Sequence, residues 1–337
     1  MKVAILTQAL LNNYGGLLQN YALQCVLKKM GYDAVTVDFK QKNYYEPLLP
    51  ALINRVFAIF LQIFGVKINR RNLPHYQKRN SFSATFVKEN ISVTNPVPIY
   101  STKVLERAGV DICLVGSDQV WRPKYNHYLE DMYLKFAKVF PAKRIAYAAS
   151  FGVDEWEYSE KQTRECSALA KKFKAISVRE ESGVGLCKKN LEVDATWVLD
   201  PTLLLQKEDY LKICEGVPTS SKPYLAAYVL NMDESIRKTC EQAAIERGVE
   251  LKVFSADAQA SLSVPEWLAM FRDASYVVTD SFHGTAFSII FGKEFKCLYN
   301  ETRGSARFES LLNLYNSGKL EEMRQFSLNW LKDALES

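Results

Sequence analysis

Short apolar runs alternate with helical patterns along most of the 337 residues, and the series starts twice. Lys2–Thr7 reads as a strand. Leu17–Met30 reads as a helix: Leu18, Tyr21, Ala22 and Cys25 share one face, Lys28 and Lys29 close the last turn, and Gly31 stops it. Val35–Phe39 is the next strand, which completes a βαβ unit with parallel pairing. Further strands are expected at Ile112–Val115, Arg144–Ala149 and Ile176–Val178. After the turn-rich stretch from Glu215 to Pro223 the pattern begins again. Its strands are expected at Tyr224–Leu230, Leu251–Phe254, Tyr276–Thr279 and Phe295–Leu298, with helices at Asp233–Arg247 and Val264–Phe271. The expectation is an α/β protein of two Rossmann-like, doubly wound lobes with a ligand cleft between them. The change of lobe falls between Lys174 and Pro223 and is placed at 175/176. Residues 1–175 then form the N-terminal lobe, 176–318 the C-terminal lobe, and 319–337 a final helix that packs back across the two.

Composition excludes several classes. Apolar content of 48% and charged content of 24% are those of an ordinary soluble globular protein. A net charge of +5 is mild and gives no ground for a nucleic-acid partner. No apolar run approaches the roughly 20 residues of a spanning helix. The start, Met1–Leu6, passes directly into Thr7-Gln8 and reads as a first strand rather than a signal peptide. Seven cysteines without a Cys-x-x-Cys point to reduced thiols and a cytoplasmic setting. The three histidines, His75, His127 and His283, are far apart and never at i, i+4, so no metal site is expected. One block departs from the average. From Pro47 to Lys88 there is no acidic residue, while Arg55, Lys67, Arg70, Arg71, Lys78, Arg79 and Lys88 are basic and Val56–Leu61 and Ile63–Val66 are apolar. That combination suits a helix lying on an anionic membrane surface, or a core-packed excursion with a solvated basic rim.

Three strand-to-helix junctions carry chemistry-bearing residues. In Tyr276–Gly292 a strand runs into Asp280, Ser281, Phe282, His283 and Gly284, and a helix begins near Thr285. Helix starts suit anions and histidine exchanges protons near neutral pH, although Asp280 or Ser281 could simply cap the helix. In the first turn, Gln8–Gly16, there is no G-x-G-x-x-G, although Asp38 stands where a ribose-binding acid would sit. A dinucleotide cofactor is therefore not expected. Gly15 and Gly16 allow close backbone approach, and Asn13, Tyr14 and Gln19 offer neutral hydrogen-bonding groups, a mixture suited to sugar hydroxyls. The competing reading is a turn with an Asn cap. After the strand ending at Val115, Ser117, Asp118, Gln119 and Trp121 combine an acid, an amide and an aromatic ring, as carbohydrate sites do. Asp118 is either a general base or a helix cap. Arg179, Arg303 and Arg307 follow strands and are either anion-binding forks or surface ion pairs.

Five motifs occur in order: Asn13-Tyr-Gly-Gly-Leu-Leu-Gln-Asn-Tyr-Ala-Leu-Gln24, Val115-Gly-Ser-Asp-Gln-Val-Trp121, Ser177-Val-Arg-Glu180, Asp200-Pro-Thr-Leu-Leu204 and Thr279-Asp-Ser-Phe-His-Gly-Thr285. Together they resemble the polysaccharide pyruvyl transferase family. The resemblance runs from residue 1 to about 315. It implies a GT-B-like pair of lobes and transfer of a pyruvyl group from phosphoenolpyruvate onto a glycan or lipid-linked oligosaccharide as a ketal. The N-terminal lobe would then be the acceptor side and the C-terminal lobe the phosphoenolpyruvate side. In relatives with an Arg-x-His junction, arginine and histidine both serve the donor. This chain has Ser281-Phe282-His283, so the histidine carries over and the arginine does not. Arg179, Arg303 or Arg307 would then hold the donor with Ser281, Gly284 and Thr285. His283 would protonate the methylene carbon, and Asp118 would deprotonate a sugar hydroxyl. Asn13, Tyr14, Gly15, Gly16, Gln19, Ser117, Gln119 and Trp121 would contact the acceptor. The scheme requires no metal or cofactor. A GT-B glycosyltransferase with a nucleotide-sugar donor is the alternative, and a binding module without activity is a third reading.

Overall fold

A computed structural model describes residues 1–40, 81–126, 128–255, 262–298 and 305–337. Its first half builds β1 (Lys2–Leu6), α1 (Tyr14–Lys29), β2 (Asp33–Thr36), α2 (Ser81–Asn90), α3 (Thr102–Ala108), β3 (Ile112–Val115), β4 (Lys143–Ala149), α4 (Glu160–Ala170), β5 (Ala175–Val178), α5 (Ser182–Leu186) and β6 (Thr196–Trp197). The six strands form one sheet in the order β2-β1-β3-β4-β5-β6, and every pairing is parallel. A short helix, α6 (Lys207–Ile213), leads to the second series: β7 (Tyr224–Tyr228), α7 (Glu234–Arg247), β8 (Glu250–Phe254), α8 (Val264–Asp273), β9 (Tyr276–Thr279), α9 (Phe282–Ile290) and β10 (Glu294–Cys297). Its sheet runs β10-β9-β7-β8, again all parallel. Two helices, α10 (Ala306–Asn316) and α11 (Leu320–Glu336), close the chain. The fold is the two-lobed α/β arrangement, with two parallel sheets, expected from the alternation.

The expected division at 175/176 runs through β5, which belongs to the first sheet, as does β6. Val178 lies between the first lobe's apolar layers with no exposure, so the run from Ala175 to Val178 completes the first core. The change of sheet therefore falls between Trp197 and Tyr224. The last helix does pack back: Leu331 and Leu335 are buried, Lys143 at the start of β4 donates to the Leu335 carbonyl (2.7 Å), and the Leu199 amide donates to Ser327 Oγ (3.0 Å). The basic block from Pro47 to Lys88 lies outside the described residues up to position 80. Of its last part, Phe82, Phe86 and Val87 of α2 are buried in the core. No helix among the described residues is long and apolar enough to cross a membrane.

The lobes meet through aromatic packing. Tyr14, in the first turn of α1, is sandwiched between Phe82 of α2 (ring centroids 4.8 Å apart) and Trp267 of α8 (5.1 Å), both nearly parallel to it. Its hydroxyl donates to the Leu262 carbonyl (2.7 Å). The ring is fully buried, which corrects its expected place among sugar contacts. Stacking in this position ties the start of α1 to the second lobe. Tyr14→Ala should lower stability by about 3–5 kcal/mol, the usual cost of a large buried aromatic. Tyr14→Phe, which removes only one hydrogen bond, should cost about 1 kcal/mol. Urea unfolding of the two variants checks the pair; similar small losses in both would remove the stack from this structural role.

Candidate active site

Strand ends and helix starts gather at one place between the lobes. The open cleft there has a volume of about 240 Å³. From the first lobe it is lined by Gln8 after β1, by Asn13 and Gly15 at the start of α1, and by Asp118, Gln119 and Tyr125 after β3. The second lobe contributes Tyr228 and Leu230 at the end of β7, Asp280 to His283 after β9, and Arg307 with Phe308 in the first turn of α10. Three helices thus point their N-termini at the same cleft. Asn13 caps α1 by accepting from the Gly16 amide (3.2 Å), and Ser281 caps α9 by accepting from the Gly284 amide (3.3 Å). Neither helix has an acidic residue in its first turn. Unpaired amides and aligned peptide dipoles make such a convergence favourable to negative charge.

Behind the cleft lies a buried carboxylate that the sequence reading quoted but gave no role. Asp200 has no side-chain exposure. Its Oδ2 accepts from Ser117 Oγ (2.9 Å) and from Arg179 Nη1 (2.9 Å), while Oδ1 accepts from the Thr202 amide (3.0 Å) and Thr202 Oγ1 (2.8 Å). Arg179 Nη2 also reaches Asp118 Oδ1 at 3.4 Å. Arg179 is 1% exposed and committed to these two carboxylates, so it stands behind the cleft wall rather than on it. Burial opposes ionisation of Asp200, but His283, Arg179 and the bonds from Thr202 outweigh it and hold its pKa below the usual value.

His283 comes from the other lobe. Its Nε2 is buried 3.8 Å from Asp200 Oδ2 and has no hydrogen-bond partner among the described residues. Its other edge faces Gly15, where an added methyl would overlap Nδ1. Only glycine at 15 therefore lets the start of α1 approach the imidazole without displacing it. Burial lowers the His283 pKa most; Asp200 and Asp118 pull it up, and Arg179 and Arg307 push it further down. Arg307 is likewise lowered, to about 10, first by burial and then by Arg179. Phe282 lies against both arginines: the guanidinium carbon of Arg179 is 4.7 Å from its ring centre and that of Arg307 is 5.9 Å away.

Asp118 sits in a left-handed conformation (φ 76°), as does Ala148 (φ 50°) in the irregular end of β4. A bulged strand re-aims its neighbours. Here the Ser150 amide donates to the Asp118 carbonyl (3.1 Å) and the Arg179 amide to the Ala149 carbonyl (3.2 Å). Backbone strain of this kind persists only where surrounding bonds over-determine it, and it gathers at functional sites. Asp280 plays a positioning part, accepting the Leu230 and Asn231 amides (2.6 and 3.1 Å) to fix the loop after β7.

Of the residues the sequence singled out, His283, Asp118, Ser281, Arg307, Asn13, Gly15 and Gln119 line the cleft. The others stand back from it. Thr285 donates to the Ser281 carbonyl (3.1 Å), and a methyl on Gly284 would overlap Thr279, so both shape the start of α9. Gly16 serves the α1 cap, and Gln19 is buried with its amide on Thr7 Oγ1 (3.1 Å). Ser117 is spent on Asp200. Trp121 is not a sugar platform: it is fully buried, stacks on Tyr133 at 4.6 Å and donates to the Met132 carbonyl (3.1 Å). An apolar core position simply looks, in sequence, like an aromatic beside polar loop residues. Arg303, His75 and His127 lie outside the described residues. Asp200, Tyr125, Tyr228 and Phe308 were missed, and only Asp200 carried a signal, as an acid followed by proline after a strand.

A sequence model of the polysaccharide pyruvyl transferase family matches residues 13–302. No curated protein matches the sequence. Among solved structures, the chain is similar to UDP-GlcNAc 2-epimerase from Methanocaldococcus jannaschii, in complex with UDP-GlcNAc and UDP (13% identity, TM-score 0.47, covering 92% of this chain and 87% of that one). It is also similar to UDP-GlcNAc 2-epimerase from Neisseria meningitidis bound to UDP-GlcNAc (12%, 0.47, 99% and 99%). A glycosyltransferase from Rickettsia africae gives 10% identity and a TM-score of 0.43, covering 99% of this chain and 94% of that one. The family match spans most of the chain, and the chain belongs to the polysaccharide pyruvyl transferase family.

The depressed His283 pKa has a consequence for stability. The unfolded chain binds a proton at this histidine more readily than the folded chain, so stability rises with pH across the interval between the two pKa values. The contribution is complete above the ordinary histidine value of about 6.5 and is lost as pH falls toward the lower folded value. The lowered Asp200 pKa works in the same direction, but only below the ordinary aspartate range. Melting temperature should therefore fall between about pH 7 and about pH 5, and fall less in His283→Asn. Parallel curves for the two proteins would show that His283 titrates normally in the fold.

Proposed function

We propose that this member of the family moves the pyruvyl group of phosphoenolpyruvate onto a sugar of a glycan or lipid-linked oligosaccharide, closing it as a ketal. The observation that carries the reading is the convergence of three helix N-termini, His283 and Arg307 on one cleft. Phosphoenolpyruvate brings a carboxylate and a phosphate to such a place. Arg307 and the amides at the starts of α9 and α10 would hold them, with Ser281 beside them. Arg303 is the other candidate for the arginine absent from the Ser281-Phe282-His283 junction. Arg179 acts differently from the sequence expectation: clamped by Asp118 and Asp200, it positions the acid groups and lends its field from behind.

His283 is the proposed general acid. Burial holds its imidazole toward the neutral form. An anionic donor beside it adds the missing favourable charge, and Asp200 stabilises the imidazolium from the Nε2 side. The Nδ1 edge, kept clear by Gly15, then delivers the proton to the methylene carbon. Positive charge builds on the central carbon, and a sugar hydroxyl attacks it while Asp118 takes the hydroxyl proton. Phosphate leaves, and a second hydroxyl of the same sugar closes the ketal, giving its proton to the departing phosphate. We further place the protein in the cytoplasm, where phosphoenolpyruvate is made. Contact with an anionic membrane surface through the basic block around residues 47–88 would bring it to a lipid-linked acceptor.

Thermal shift and calorimetry test the donor. Phosphoenolpyruvate should bind, and Arg307→Ala should weaken it by at least about tenfold, as loss of a charge-assisted contact does. Response to UDP-sugars without response to phosphoenolpyruvate would move the protein to the nucleotide-sugar glycosyltransferase reading. His283→Asn should fold, bind phosphoenolpyruvate within about tenfold, and lose turnover by a factor of roughly 10²–10⁴. In the wild type, solvent deuterium should enter the ketal methyl group. Near-normal turnover of His283→Asn with deuterium still incorporated would assign the proton to another group.

A further inference from the structure

With Trp121 buried in the core, the first lobe's wall of the cleft offers a different aromatic residue. Tyr125 lines the cleft and is 39% exposed. One side of its ring is backed by Arg122, whose guanidinium carbon lies 5.6 Å from the ring centre. Arg122 is itself immobilised. Its Nε and Nη2 donate to the two oxygens of Glu157 (3.0 Å each), and its Nη1 donates to Gln119 Oε1 (3.1 Å). The turn that carries Tyr125 is pinned by Asn126, whose Nδ2 reaches the carbonyls of Gln119 (2.9 Å), Val120 (2.8 Å) and Arg122 (3.3 Å).

The same arginine fixes a polar group next to the ring. Because Gln119 Oε1 is held by Arg122, the orientation of this amide is set, and its Nε2 has no protein partner among the described residues. Gly152, at φ 78°, comes so close to the amide that a methyl there would overlap Oε1. A preset aromatic face beside a preset amide donor meets the needs of a pyranose, which has an apolar C–H face and equatorial hydroxyls. The aromatic ring offers area at little entropic cost because it is already ordered.

We propose that Tyr125 is the stacking platform for a pyranose ring of the acceptor, with Gln119 Nε2 donating to one of its hydroxyls and Arg122 holding both in place. This rests on the glycan acceptor proposed above and names the residues that would select it. Tyr125 comes from the first lobe and His283 and Arg307 from the second, and all three line the same cleft, so a sugar stacked on Tyr125 would share it with the donor groups.

The test is binding of methyl hexopyranosides, titrated by saturation-transfer-difference NMR without phosphoenolpyruvate, to wild type, Tyr125→Ala and Tyr125→Phe. Wild type should bind at least one pyranoside. Tyr125→Ala should weaken that binding by about tenfold, the scale of one stacked aromatic contact. Tyr125→Phe should restore it to within about twofold, since the ring face and not the hydroxyl makes the contact. Circular dichroism and the thermal response to phosphoenolpyruvate should be the same in all three proteins. Unchanged pyranoside binding in Tyr125→Ala, or equal losses in Ala and Phe, overturns the platform while leaving the pyruvyl-transfer reading intact. A wild type that binds no pyranoside removes the glycan acceptor itself, and the platform with it.

Discussion

A single buried carboxylate holds the site together. Asp200 has no solvent exposure, so its charge is tolerable only because Arg179, Ser117 and Thr202 surround it with donors. Removing one partner of a buried ion pair typically costs about 3–5 kcal/mol, because the other charge is left uncompensated. That penalty fixes the ends of β3, β5 and β6 relative to one another, since Ser117, Arg179 and Asp200 follow those three strands. It also reaches across the lobes. Asp200 belongs to the first lobe and His283 to the second, and they are 3.8 Å apart. The protonation of His283 is therefore a function of how closely the lobes approach, because a Coulomb interaction at this distance in a poorly solvated site weakens quickly as water enters.

Packing enforces that approach. The sandwich of Phe82, Tyr14 and Trp267 brings the start of α1 onto the second lobe, and Gly15 one residue later admits the imidazole edge. Phe282 lies against both Arg179 and Arg307, and the face of its ring favours each positive charge. These are apolar solutions to an electrostatic problem. They allow a histidine, two arginines and three carboxyls to be buried around one cleft.

Strand and helix positions were readable from the sequence because parallel strands buried on both faces appear as short apolar runs, such as Ile112–Val115 and Tyr276–Thr279. The two-residue β6 was not, since Thr196-Trp197 is too short for any periodicity. The lobe boundary fell early because β5, though read as a strand, was assigned to the second lobe, whereas it pairs with β4 in the first sheet. At the site, residue type drew attention to His283, Asp118 and Arg307, all of which line the cleft. It could not distinguish Arg179 from Arg307, because both are arginines near strand ends. Partners separate them: one lies behind the wall between two aspartates, the other lines the cleft. Trp121 and Tyr14 show the opposite limit. An aromatic next to glycines and amides has the composition of a sugar site, yet an inward rotamer makes it core.

The junction Ser281-Phe282-His283 then has a physical account. Serine at 281 caps α9, a task an arginine side chain does not perform, and the ring of phenylalanine at 282 lies against the two nearby guanidinium groups. In our reading the positive charge that an arginine in the junction would supply enters instead from the first turn of α10, at Arg307. Burial and Arg179 both disfavour that charge, and the same two influences depress His283. An anion arriving between them would stabilise both cations at once. Donor binding and protonation of the proposed acid are then the same event, because the field that holds the donor is the one that charges the histidine.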